Sequence, residues 1–87
     1  MKHKDLIYIF MEIQTYSSFD FNISCVLKCF GFDLLEIKKD RKKTIWCFKR
    51  TERLDEILHK YWQGTLTVNV VEFLSVQRFI KSSLHNQ

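Results

Sequence analysis

The apolar positions of this chain change period several times, and each change marks an element. Leu6-Ile7-Tyr8-Ile9-Phe10-Met11 is apolar throughout. No period separates helix from strand there, although Ile, Tyr and Phe favour strand. Such a segment has to be buried, either in its own core or against a second subunit. Ile13-Gln14-Thr15-Tyr16 alternates and predicts a short strand. Ser17, with Asp20 three positions on, resembles a capping box and predicts a helix start. Phe19, Ile23, Val26, Leu27 and Phe30 then recur as one stripe of an α-helix. Gly31 stands where a left-handed residue commonly closes such a helix.

Residues 32–38 and 44–49 are rich in branched and aromatic side chains, and Lys39-Asp40-Arg41-Lys42-Lys43 lies between them. That arrangement predicts a β-hairpin over about 32–49 whose charged tip projects into water. Thr51 is the next cap, with Glu52 at the positive end of the helix it opens. Leu54, Ile57, Leu58, Tyr61 and Trp62 form its apolar stripe, and Gly64 ends it. Thr65-Leu66-Thr67-Val68 reads as an extended link. Asn69 with Glu72 opens a last helix to about Ser83, with Phe73, Leu74, Val76, Phe79 and Ile80 on its inner side. His85, Asn86 and Gln87 are expected to fray.

The order β-α-β-β-α-α predicts a single α+β domain over residues 15–87, with a central β-hairpin packed on helices. Residues 1–14 are expected to be an N-terminal extension or strand. Its run from Leu6 to Met11 is a candidate homodimer contact. Met11 is also a candidate start, which would make the first ten residues an extension.

Composition agrees with order. Of 87 residues, 46% are apolar and 15% aromatic; there is no proline and there are two glycines. A disordered chain shows the opposite balance. No apolar run approaches the eighteen or so residues of a membrane span. The run after Lys2, His3 and Lys4 is too short for a signal peptide and lacks a small-residue cleavage site. Three cysteines without a secretory signal favour free thiols in a reducing cytoplasm.

Charge changes the picture most. The net charge is +4, but residues 38–53 alone hold eight basic side chains against Asp40 and Glu52. They are Lys38, Lys39, Arg41, Lys42, Lys43, Lys49, Arg50 and Arg53. The rest of the chain holds six basic and eight acidic residues. The positive field is therefore local, and a local field points to a contact surface.

Phosphate binding requires several cations on one exposed element, because each neutralised phosphate releases condensed counterions. A hairpin suits a groove or a backbone. The bland alternative is a solubilising turn, and a third is docking on an acidic protein surface. Trp46 and Phe48 share one strand face and would stack on bases if exposed, but a domain this small favours them as core. Cys25 and Cys29, four apart on a helix, would supply half a zinc site with Cys47 or His59. Buried apolar cysteines are the more ordinary reading, and no metal is expected. A Cys–His nucleophile pair with His59 has no third partner or glycine loop beside it, and no phosphate-cradling glycine motif is present. No cofactor and no catalysis are expected. Lys60, Arg78 and Lys81 read as a solvated helix face.

Several residues carry a resemblance. Gly31-Phe32-x-Leu34-Leu35-x-Ile37-x-x-Asp40, then Ile45-Trp46-Cys47-Phe48, then Tyr61-Trp62-x-Gly64-x-Leu66-x-Val68, then Phe73 and Arg78-x-x-Lys81-Ser82 resemble a small family of uncharacterised bacterial and phage proteins. The resemblance covers about residues 15–84. It implies the helix, hairpin and two-helix pattern, supplies no mechanism, and points to a phage or mobile element as source. The first ten residues fall outside it, and the tip is more basic than its pattern. The expected function is a cytoplasmic, non-enzymatic module that contacts nucleic acid through the hairpin tip. The alternative is a phage-type protein that docks on and inhibits or modulates a host protein such as a defence (CRISPR-type) nuclease.

Overall fold

A computed structural model describes residues 14–85 of the chain. The run from Leu6 to Met11, with the dimer contact expected of it, lies outside the described residues, as do Asn86 and Gln87. The elements are β1 (Thr15–Ser18), α1 (Phe21–Cys29), β2 (Leu34–Asp40), β3 (Lys43–Lys49), α2 (Glu52–Gln63) and α3 (Val70–His85). The domain is α+β, in the order expected.

The hairpin β2–β3 is joined by β1 on its other side, giving an antiparallel sheet in the order β1-β3-β2. The branched and aromatic strand Lys43-Thr44-Ile45-Trp46-Cys47-Phe48-Lys49 is therefore central and hydrogen-bonded on both edges. A third strand matters here, because an isolated hairpin is marginal in water. Tyr16 pairs with Phe48 and Ser18 with Trp46; Leu34 pairs with Phe48 and Ile37 with Trp46. Leu35 is the extra residue of a β-bulge between the Leu34 and Glu36 pairings.

Paired residues share a face. Thr44, Trp46 and Phe48 thus look the same way as Leu34, Ile37, Lys39, Tyr16 and Ser18. This is the face that meets the core, which also contains Ile23, Val26, Leu27, Phe32, Leu54, Ile57 and Ile80. Lys43, Ile45, Cys47 and Lys49 take the other face, with Thr15, Ser17, Glu36, Lys38 and Asp40. Cys47 is nonetheless buried, its Sγ 3.4 Å from Ser17 Oγ.

The first helix begins later than its sequence suggests. Asp20, not Ser17, is the cap: its carboxylate accepts from the Ile23 amide at 3.0 Å. Ser17 and Ser18 belong to β1, and Ser18 Oγ accepts from the Asp20 amide at 2.9 Å. Pairing with β3 holds the chain extended through Ser18, so the helix cannot start there. Every residue from Ile23 to Leu27 is buried, so α1 is enclosed on most sides and packs along α3.

Thr51 and Asn69 cap α2 and α3 as expected. Thr51 Oγ1 accepts from the Leu54 amide at 3.1 Å, and Asn69 Oδ1 from the Glu72 amide at 2.9 Å. Gly31 and Gly64 take left-handed φ values of 89° and 76° after their helices. Four residues expected in apolar stripes are instead exposed: Phe19, Trp62, Leu74 and Phe79. Phe79 lies under the Lys28 ammonium, 5.9 Å from its ring centroid. No helix among the described residues is long and apolar enough to cross a membrane.

Candidate nucleic-acid interface

The hairpin closes in two residues, Arg41 and Lys42, between the paired Asp40 and Lys43. Arg41 is the one non-glycine among the described residues with positive φ, at 59°. Left-handed backbone at a side-chain-bearing residue costs about 1–2 kcal/mol, and asparagine or glycine ordinarily takes such a slot. Here an arginine occupies it. An open depression at the turn is lined by Asp40, Arg41, Lys42 and Lys43.

Lys38, Lys39, Arg41, Lys42 and Lys43 are all exposed. Lys38 and Lys43 lie on the outer sheet face, Lys39 on the core-side face beyond its apolar part, and Arg41 and Lys42 on the turn. The tip thus presents cations in several directions. Among the described residues, the ion pair present lies elsewhere, between Arg50 Nε and Asp55 at 3.1 Å.

That pair divides the basic cluster. Arg50 is engaged by the carboxylate of Asp55. Arg53 donates from Nη2 to the Phe30 carbonyl at 2.9 Å, and its guanidinium lies 4.7 Å from the Phe32 ring centroid. Both arginines therefore serve the junction of α1, β3 and α2. Lys49 is exposed at the far end of β3, one strand length from the tip. Eight basic residues that are contiguous in charge along the sequence are thus five at the tip, one on the sheet and two in structural contacts.

Trp46 and Phe48 are buried, at 4% and 0% exposure, and belong to the core. Trp46 Nε1 has no hydrogen-bond acceptor among the described residues. The aromatic ring beside the tip is Phe19, 62% exposed, with Lys43 Nζ 5.0 Å from its centroid. Phe19 precedes the cap of α1, where an apolar residue ordinarily packs on the fourth helical residue. That residue is Ser24, whose hydroxyl donates to the Asp20 carbonyl at 2.9 Å. Ser24 therefore offers Phe19 no apolar partner, and the ring stays largely exposed. The polar identity of Ser24 is the sequence signal that would have revealed this, once Asp20 was known to be the cap.

Two of the thiols, Cys25 and Cys29, are poor nucleophiles at neutral pH. Burial pushes Cys25 from 9.0 up to about 11, the neighbouring Cys29 adds to the rise, and Lys81 opposes it. Burial and then Glu72 raise Cys29 as well. Among the described residues, no three His, Cys, Asp or Glu side chains are grouped so as to hold a metal ion.

A family model described as "Domain of unknown function (DUF5659)" matches residues 13–86, which includes every described element. The chain belongs to that family. No curated protein and no solved structure matched it significantly. Membership in DUF5659 agrees with the resemblance to an uncharacterised family and covers the hairpin tip together with both structural arginines.

Proposed function

We propose that this DUF5659 protein is a non-enzymatic, cytoplasmic binding module that contacts nucleic-acid phosphates through the tip of its β2–β3 hairpin. The observation that carries this reading is the turn itself. Five exposed cations stand on and beside it, and an arginine holds the φ of 59° that favours glycine or asparagine. A turn selected for folding alone would place one of those residues there. A source in a phage or mobile element suits such a module.

The test is binding of a labelled oligonucleotide as salt is varied. Five phosphate contacts give a log–log slope of roughly −3.5 on single strands and −4.5 on duplex. Replacing Lys39, Arg41, Lys42 and Lys43 together with alanine is expected to abolish binding while the circular dichroism spectrum is retained. Absence of binding at low salt sinks the proposal.

A second reading, docking on and inhibiting a host protein such as a defence nuclease, is favoured by exposed apolar side chains around the α2–α3 connection. Trp62, Val70 and Val71 are 69%, 68% and 74% exposed. That reading requires a protein partner that survives nuclease treatment of the lysate and is lost on Trp62→Ser.

A further inference from the structure

We propose that Phe19 and the hairpin tip form a stacking site for an unpaired base, so that the nucleic acid engaged is single-stranded. This rests on the reading of the tip as a phosphate contact and adds the form of strand it takes.

Phe19 lies 24 positions before Lys43 in the sequence, and the β1–β3 pairing brings it there. Ser18 pairs with Trp46, and the chain then turns at Phe19 into the capped start of α1. The ring comes to rest against Lys43, whose ammonium lies 5.0 Å from its centroid, and the residue remains 62% exposed. Its burial elsewhere would be favourable by about 2 kcal/mol, so a folding argument does not account for its place. A π-face next to a cluster of cations is what single-strand binders use: the ring stacks on a base while the cations hold the flanking phosphates. In a duplex, base faces are hidden in the stack and only phosphates and groove edges are accessible. The aromatic reaches a duplex base only at the cost of unstacking a step, whereas a strand with free bases offers it a contact directly. Lys43 serves both parts, since it lies over the ring and also pairs with Asp40 across the turn.

The experiment measures anisotropy with labelled single-stranded DNA and RNA of about a dozen nucleotides and with the duplex of the same length, at one fixed salt concentration. The full-length chain is compared with Phe19→Ala, Phe19→Trp and the four-alanine tip variant. Tighter binding of single strands is expected, with Phe19→Ala weakening it roughly five- to hundredfold. Phe19 carries no charge, so the salt slope should stay unchanged in Phe19→Ala. Phe19→Trp should bind at least as tightly as the parent. Comparison of the DNA and RNA arms shows which sugar is preferred. Equal affinity for single strand and duplex, with no effect of Phe19→Ala, overturns the stacking site and leaves the phosphate contact standing. Unchanged binding by the tip variant, or no binding of any form, overturns both.

Discussion

Arg53 Nη2 donates to the carbonyl oxygen of Phe30 at 2.9 Å, tying the first turn of α2 to the last turn of α1. The carbonyls at a helix C-terminus lack intrahelical donors and carry partial negative charge. A guanidinium there satisfies one of them, and the same group lies on the Phe32 ring. The contact is solvent-exposed, so its contribution is moderate. Arg53→Ala is expected to cost about 1–2 kcal/mol, read as a lower midpoint in urea unfolding, and to leave oligonucleotide affinity within about twofold of the parent. A stability-neutral variant that loses affinity would instead return Arg53 to the binding surface.

Arg41 makes the opposite prediction. Glycine accepts a φ of 59° without the Cβ penalty, so Arg41→Gly is expected to raise stability by about 0.5–1 kcal/mol. It also removes one tip cation, so the salt slope should fall in magnitude by about 0.7–0.9. Thermal unfolding and the salt titration check the two halves separately. A variant that is less stable than the parent would mean that the arginine side chain supports the turn.

The start of α1 is testable by two alanines. Asp20→Ala removes the group that accepts from the Ile23 amide and is expected to cost about 1 kcal/mol. Ser17→Ala, at the position sequence alone marks as the cap, is expected to change stability by less than about 0.5 kcal/mol. Chemical denaturation of both variants reads the difference. The reverse ranking would place the cap at Ser17.

Cys25 predicts an alkaline loss of stability. Its thiol titrates near 11 in the folded chain against an ordinary 9.0. Between those values the folded state holds a proton that the unfolded state has released, so stability falls as pH rises. The contribution is complete below about pH 9 and disappears through about pH 11, with a slope of at most about 1.4 kcal/mol per pH unit. Urea unfolding at pH 8, 9 and 10 should show the decline in the parent and a shallower one in Cys25→Ala. Parallel curves would show that burial of this thiol does not drive the effect.

Much of this architecture was legible before any tertiary information. The three helices, the caps at Thr51 and Asn69 and the stops at Gly31 and Gly64 depend on residues within four positions of one another, or on the conformational freedom of a single glycine, and the hairpin on a short polar turn between two adjacent apolar runs. Such signals survive in the linear sequence because the interactions that create them are local. The concentration of charge between Lys38 and Arg53 was legible for the same reason.

The composition of the candidate site was not. Which cations are exposed and unpaired depends on what each meets across the fold: Arg53 finds Phe30, Arg50 finds Asp55, Lys43 lies over the Phe19 ring, and residues 38, 39, 41 and 42 are exposed. The pairing of β1 with β3, about thirty residues apart, decided more still. It held Ser17 and Ser18 in a strand, moved the cap to Asp20, and left Phe19 outside the helix whose stripe it extends in sequence. No local period encodes a contact made at that separation. The linear chain therefore determined that a basic hairpin tip exists, and the tertiary structure decided that an aromatic ring stands beside it.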